Sequence, residues 1–339
     1  MLPSKAGLRA ARKAVMGEKG QFQAQVLYNR KTGPRFYKLG LSFVGQSAKA
    51  FSQFQPGQFV EIDLTAAALP PLNEIPEEFR DAAKREILLR RPFSFSNLEV
   101  REGETAVEVL YEALGPASLR MTTLKRGDSL SILGPLGRGF EISKAKKLAV
   151  LAVGGMGAGP VELLAKVLRQ KHPAMEVIAF CGARSREALP FEDLPPEIDE
   201  CPGNWISEFA KSGVQCFVAT DDGSAGFKGF VPDRLDKWLG EQKMKARETV
   251  IYSCGPDPML AAVAGLAQRW DIDCQVSTES RMACGIGLCQ SCAVECKAAE
   301  GGTTYKLCKK MDPFSIQGNL CFSDYLWVRP LICRWILWA

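Results

Sequence analysis

Lys147-Leu148-Ala149-Val150-Leu151-Ala152-Val153 runs directly into Gly154-Gly155-Met156-Gly157-Ala158-Gly159-Pro160. After Lys147 every residue of the first run is apolar, the pattern of a strand buried on both faces in a parallel sheet. The glycines that follow read as a tight turn, and Val161 to Arg169 has the composition of a helix. Strand, glycine turn and helix in that order place open backbone amides where a phosphate meets a helix N-terminus. The spacing is not the strict dinucleotide fingerprint, and no acidic residue can be assigned to a ribose. At this point a turn made only for packing is an equal reading.

Downstream the same rhythm recurs. Strands are expected at Glu176 to Phe180, Val214 to Ala219 and Thr249 to Ser253, which together describe a small α/β domain. Two of these strands end in polar or glycine-rich runs, Thr220-Asp221-Asp222-Gly223-Ser224 and Cys254-Gly255-Pro256. Open parallel sheets collect ligands beyond such carboxyl ends. Asp221 and Asp222 serve equally well as turn caps, and Cys254 as a core side chain. No acid–base catalysis is assigned to them.

Upstream the rhythm is different. Phe22 to Tyr28, Phe36 to Phe43, Gln58 to Leu64, Val107 to Leu114 and Ser129 to Leu133 are short strand candidates separated by turns, which predicts a closed antiparallel barrel through about residue 140. Residues 65–90 interrupt it, with Ala66-Ala67-Ala68-Leu69-Pro70-Pro71 as a surface excursion and a helix expected from Pro76 to Leu89. Arg91-Pro92-Phe93-Ser94 follows, offering a guanidinium fork, a fixed backbone angle and a hydroxyl. Gly115-Pro116-Ala117-Ser118 opens a helix whose free amides suit an anion, and Gly134-Pro135-Leu136-Gly137-Arg138-Gly139-Phe140 combines close backbone approach with a charge. Each of these three is also an ordinary strand edge, turn or hinge.

The chain's densest chemistry is Cys284-Gly285-Ile286-Gly287-Leu288-Cys289-Gln290-Ser291-Cys292, with Cys308 beyond it. A C-x4-C-x2-C opening with a more distant fourth cysteine matches plant-type [2Fe–2S] ligation by four thiolates. Gly285 and Gly287 let a short loop wrap an inorganic core and turn amides toward sulfur. A structural zinc site held by four cysteines is the alternative. Cys296 competes with Cys308 for the fourth place. Cys308 is preferred because Gly301-Gly302-Thr303-Thr304-Tyr305 reads as a hairpin that returns the chain toward the loop.

Composition narrows the function classes. The 339 residues are 46% hydrophobic and 24% charged, enough for two or three globular domains. A net charge of +5 from 43 basic and 38 acidic side chains leaves no nucleic-acid footprint. His172 is the single histidine, so histidine triads and multi-histidine metal centres are excluded. Lys5, Arg9, Arg12, Lys13 and Lys19 occupy the first 20 residues without a signal-peptide apolar core, and a reducing cytoplasm is expected. Near the C-terminus Trp327, Trp335 and Trp338 lie in an apolar run broken by Arg329 and Arg334, too short to predict a spanning helix.

Taken in order over roughly residues 20–318, these motifs resemble the electron-transfer subunit of dihydroorotate dehydrogenase, within the ferredoxin-NADP-reductase-like superfamily. The resemblance implies an antiparallel flavin-binding β-barrel (20–143, with the 65–90 insertion), a nucleotide-binding α/β domain (144–270), a small C-terminal [2Fe–2S] domain (275–318) and an uncertain tail (319–339). It implies that Arg91 contacts flavin phosphate, that Phe93 and Ser94 lie by the isoalloxazine with Pro92 in the same FAD-binding motif, and that Gly115, Pro116, Ala117 and Ser118 contact the FAD diphosphate. Pro116 and Ser118 depart there from the family's commoner glycine-lysine-glycine-threonine pattern. Gly154, Gly155, Gly157, Asp221, Asp222, Cys254 and Gly255 would serve NAD(H), and Cys284, Cys289, Cys292 and Cys308 would hold the cluster. Further departures are the insertion and the absence of the family's aspartate-glycine-proline ending after Cys308.

The implied activity is an FAD- and iron–sulfur-dependent oxidoreductase subunit moving electrons between NAD(H) and the FMN of a dihydroorotate dehydrogenase catalytic partner, as a hetero-oligomer. The base that oxidises dihydroorotate would then belong to the partner, so no catalytic residue is assigned here. Two rival readings use the same residues: an NAD(P)H:ferredoxin or hydrogenase-associated electron-transfer subunit, and a zinc-stabilised interaction protein without enzymatic activity.

Overall fold

Seven short strands build the first sheet of the computed structural model, which describes residues 19–242, 245–278, 282–297, 303–306 and 314–315. They are β1 (Gly20–Lys31), β2 (Phe36–Val44), β3 (Phe59–Ile62), β4 (Arg91–Ser94), β5 (Asn97–Arg101), β6 (Glu104–Glu112) and β7 (Ser129–Leu136). Their order is β4-β3-β7-β1-β2-β6-β5, and every pair is antiparallel. Alternate residues such as Ala24, Val26, Leu39, Leu41, Val60, Ile62, Val107 and Val109 face one core, where Phe43 stacks on Phe51 with ring centroids 4.0 Å apart. Period-two alternation in the sequence therefore becomes one buried face.

The closed barrel expected from the strand rhythm is instead a curled sheet with two edges, β4 and β5. Those edges are consecutive in the chain with only Phe95 and Ser96 between them, so covalent continuity, not a ladder of hydrogen bonds, joins them. Phe95 is wholly buried, and the Ser96 amide donates to the Glu108 carbonyl at 2.8 Å.

The helix expected over Pro76 to Leu89 is reduced to one turn of 3-10 helix at Glu77–Phe79 and four α-helical residues at Arg80–Ala83. Side chains take backbone acceptors ahead of this short helix and at its end. Arg80 Nε donates to the Leu72 and Ile75 carbonyls, and Arg120 Nη1 to that of Ala83. Ile75, Phe79 and Ala83 pack on Ala113 and Leu119, pinning the excursion to the helix Pro116–Met121.

The second sheet is parallel over β8 (Leu148–Gly154), β9 (Glu176–Ala183), β10 (Gln215–Thr220), β11 (Phe227–Lys228), β12 (Thr249–Cys254) and β13 (Asp273–Ser277), in the order β11-β10-β9-β8-β12-β13. Both faces are covered, as its near-continuous apolar strands require. Ala149, Leu151 and Val153 face the helix Ala158–Lys171, while Val150 and Ala152 face the helices Val231–Glu241 and Asp257–Arg269. Beyond it, β14 (Val294–Lys297) and β15 (Thr303–Lys306) form an antiparallel pair, so the chain does return as a hairpin after the cysteine loop. The two residues of β16 (Phe314–Ser315) run antiparallel to β13. Cys308 and the tail 319–339 lie outside the described residues. No helix among the described residues is long and apolar enough to cross a membrane.

Candidate functional site

The parallel sheet reverses its strand order between β8 and β12, with β9 to β11 on one side and β13 on the other. Such a switch point opens a crevice beyond the carboxyl ends of the two central strands. Both glycine-containing turns lie there. A Cβ on Gly154 would sit 2.7 Å from Met259 Sδ and 2.8 Å from Pro256 Cδ, and one on Gly157 would collide with the Cys254 carbonyl. These two glycines therefore let the turns interdigitate. Gly155 differs: its φ of 49° is left-handed, and nothing lies within 4 Å of the position a Cβ would take. It leaves backbone facing open space at the start of the 14-residue helix Ala158–Lys171, whose N-terminus has no side-chain cap. That arrangement fits a phosphate group.

Gly255 has a φ of 155°, and Cys254 is buried in the core of the sheet. Asp221 and Asp222 share the carboxyl edge but follow β10, two strands from β8. The structure does not bring them to the glycine turn. Asp222 Oδ1 accepts from the Ser224 hydroxyl at 2.6 Å and the Ser224 amide at 2.9 Å, and the hydroxyl bond holds its carboxyl below the ordinary aspartate range.

On the barrel, β4 pairs with β3 so that Arg91 faces Ile62, Pro92 faces Glu61, Phe93 faces Val60 and Ser94 faces Phe59. Proline is tolerated because β4 is an edge strand. Arg91 Nη1 donates to the Leu89 carbonyl at 2.8 Å and the Arg90 carbonyl at 3.2 Å. Its Nε is buried with no partner among the described residues, a donor that fits an acidic oxygen. At the next motif, Pro116 takes the first turn of its helix, and Ser118 Oγ accepts the amides of Leu114 and Gly115 at 3.0 Å each. Ser118 thus closes the turn, which leaves anion contacts there to backbone amides.

The cysteine loop is seated against β3 and β7. Gly285, Gly287 and Gln290 all have positive φ, at 63°, 79° and 59°. The coil turns the amides of Leu288 and Cys289 onto Cys284 Sγ at 3.3 and 3.4 Å. Cys289 Sγ lies 3.1 Å from Ser291 Oγ, and hydrogen bonds from Ser291 and then Cys284 draw its thiol down to about 6. Thiolate character and amide-to-sulfur bonds suit a soft metal. Cys292 is buried against Phe59 and Leu136. Among the described residues, no three histidine, cysteine or acidic side chains converge on a common metal position. The structure thus places three of the expected ligands on one loop without gathering them to a point.

Two residues that the sequence reading passed over organise this region, and a third lies apart from it. Phe59 pairs with Ser94 and touches Cys292, linking the β4 motif to the cysteine loop. Glu61 is wholly buried, and both its carboxylate oxygens lack a partner among the described residues. It lies under the loop, since a Cβ on Gly285 would sit 2.6 Å from Glu61 Cγ. Burial pushes its carboxyl up to about 7 against the pull of Arg91 and Arg90. Strand alternation could have flagged that Glu61 shares a face with Phe59, but not that a loop over 220 residues away covers that face. The third residue, Lys38, lies elsewhere, beside a cleft of about 580 Å³ lined by mixed charges and by none of the residues assigned from the sequence.

No protein-family profile matches the chain. It is 34% identical over 250 residues to the dihydroorotate dehydrogenase B (NAD(+)) electron transfer subunit of Fusobacterium nucleatum, spanning 73% of this chain and 81% of that protein. The protein of the same description from Geobacillus kaustophilus is 32% identical over 290 residues, spanning 85% and 93%. A solved NADH-dependent reduced ferredoxin-NADP oxidoreductase superposes with a TM-score of 0.65 at 21% identity, covering 89% of this chain and 91% of that one, which is a likeness of fold.

Proposed function

The chain belongs to the family of dihydroorotate dehydrogenase B electron transfer subunits, and from that premise we propose that it carries electrons between NAD(H) and an FMN-containing dihydroorotate dehydrogenase catalytic subunit, with which it forms a cytoplasmic hetero-oligomer. The observation that carries this reading is the position of Phe59, which pairs with Ser94 on one side and packs on Cys292 on the other. The strand assigned to flavin and the loop assigned to iron thus share one residue. FAD, when bound, converts a two-electron hydride into single electrons, and a [2Fe–2S] group relays them one at a time.

In this reading the barrel 20–143 takes the flavin. Arg91 offers its unpartnered Nε to phosphate, Pro92 and Phe93 shape the strand edge, and Ser94 lies by the ring. Gly115, Pro116, Ala117 and Ser118 shape the diphosphate turn. Residues 144–270 take the nucleotide, with Gly155 facing the phosphates, Gly154, Gly157 and Gly255 allowing the two turns to meet, Cys254 filling the core beneath them and Asp221 and Asp222 at the outer rim. Residues 275–318 form the [2Fe–2S] domain, with Cys284, Cys289, Cys292 and Cys308 as ligands. The tail 319–339 has no assigned role.

Anaerobic purification tests the proposal. Stoichiometric FAD, iron and acid-labile sulfide, with NADH bleaching both visible chromophores, is the expected result. Zinc without flavin would overturn it. Native pull-down separates the acceptors: an FMN-containing dihydroorotate oxidase supports the reading, and a ferredoxin or hydrogenase partner replaces it with the related electron-transfer activity.

A further inference from the structure

Lys38 is almost fully buried, and its Nζ lies 3.1 Å from Glu208, 3.3 Å from Glu192, 3.4 Å from Glu108 and 3.6 Å from Glu162. Lys38 and Glu108 stand on β2 and β6, adjacent strands of the barrel. The other three carboxylates come from separate stretches of the parallel-sheet unit: the helix Ala158–Lys171, the segment after β9, and the short helix Ser207–Ala210. One ammonium therefore ties the barrel to three points of its neighbour.

Three N–H donors cannot serve four carboxylates. The remaining demand is met from both sides of the interface. Tyr28 donates to Glu108 at 2.8 Å, Ser96 to Glu108 at 3.2 Å, Ser207 to Glu208 at 3.1 Å and the Glu192 amide to Glu208 at 3.0 Å. Arg30 pairs with Glu192 and lies 3.4 Å from Glu108. Glu162 Oε2 is buried with no hydrogen-bond partner among the described residues, and burial pushes that carboxyl up to about 8 against the pull of Lys38. Lys38 is itself opposed by burial, but the field of Glu162, Glu108, Glu208 and Glu192 overrides it and holds the ammonium charged above the ordinary lysine range.

The position of Glu162 gives the cluster its consequence. It lies in the first turns of the helix that begins at the glycine turn Gly154–Gly157. Anchoring Glu162 to a barrel strand anchors that turn. We infer that Lys38 is a positioning residue: it fixes the glycine turn of the parallel sheet against the barrel, and with it, on the reading proposed above, the nucleotide that the turn holds. A surface ion pair would not do this, because solvent would screen it and either partner could move away. Here the partners are buried, and removal of the cation leaves like charges facing one another across the interface.

Lys38→Met in the full, cofactor-loaded protein tests the inference by amide hydrogen exchange. We expect exchange in Ala158–Lys171 and Ser207–Ala210 to accelerate at least about tenfold while β1 and β7 stay within about twofold of wild type, because local opening is confined to the segments released. The KM for NADH should rise several-fold, by about five, with flavin content unchanged. Lys38→Met/Glu162→Gln/Glu208→Gln, which removes the repulsion with the cation, should return exchange toward wild type. Unchanged exchange in Lys38→Met, or equal acceleration in both sheets, would overturn the inference. Should Lys38→Met fail to fold, the triple variant decides: native exchange supports the inference, and the same failure overturns it. Exchange needs no nucleotide, so a wild-type protein inert to NADH would sink the functional reading while leaving this test intact.

Discussion

A carboxylate with no hydrogen-bond partner among the described residues is the most consequential single residue near the cysteine loop. Glu61 has its carboxyl pushed up to about 7 by burial, whereas an exposed glutamate titrates near 4.5. The folded chain therefore binds more protons than the unfolded chain between those values, and stability must fall as pH rises through that window. Glu162, pushed to about 8 by its burial, acts in the same direction. The melting temperature is expected to decline from pH 5 to pH 8.5. Glu61→Gln, which keeps the shape and drops the charge, should recover on the order of 2 kcal/mol at pH 8 and almost nothing at pH 5. Thermal melts of both proteins across that range check this, and parallel curves would show that Glu61 is not the titrating group. Cys289 poses a complementary case, since its lowered thiol depends on Ser291 beside it. Cys289→Ser should lose most of its iron and sulfide while flavin absorbance survives, because Arg91–Ser94 belongs to a sheet the loop only covers. Full iron content in that variant would remove Cys289 from the ligand set. Cysteine spacing made the loop legible in the sequence. Glu61 was not, because strand periodicity says which residues share a face and nothing about what distant chain covers it.

Among the elements, the turn after β8 shows how far glycine spacing can be read. The apolar run Leu148 to Val153 and the turn beyond it were legible, because a doubly buried parallel strand and a left-handed turn each demand particular residue types. Which glycine does what was not legible, since that depends on the second turn, Cys254–Pro256, brought alongside by sheet order. The two roles separate by substitution. Gly157→Ala would drive a methyl into the Cys254 carbonyl, a backbone atom that cannot rotate away, and should cost about 1–3 kcal/mol together with most NADH affinity. Gly155→Ala meets no chain atom and should cost in stability only the left-handed penalty of about 1 kcal/mol, its methyl entering the space assigned above to phosphate. Chemical denaturation and NADH titration of the two variants distinguish them; equal losses would mean that the turns do not interlock as described. The expected helix over Pro76 to Leu89 failed for the reverse reason. Its acidic first turn was a real local signal, but Arg80 turns back to carbonyls ahead of the helix and Arg120, from outside the helical pattern, claims that of Ala83.

At the level of the whole molecule, the change of rhythm near residue 145 announced two units, yet their cores are not separate. Leu163, from the helix that follows the glycine turn, packs in the barrel core, and Leu110, from barrel strand β6, packs in the core of the parallel sheet. Helical periodicity marks Leu163 as apolar and inward-facing without saying which core receives it, so this exchange could not be read from the sequence. Its consequence is cooperativity. Two sheets joined only by a linker would unfold independently, whereas sheets that share side chains and the Lys38 cluster should unfold together. Urea unfolding followed at Trp238, buried in the parallel-sheet unit, and by flavin absorbance, reporting on the barrel, is expected to give coincident transitions. Leu163→Ala removes a side chain buried to 1% exposure and should lower stability by about 2–5 kcal/mol. Because the cavity opens in the barrel while the mutated helix belongs to the other unit, both probes should shift to lower urea by the same amount. A shift seen by one probe alone would mean that each sheet stands by itself, and the orientation of the glycine turn against the barrel would then have to be held by charge without shared packing.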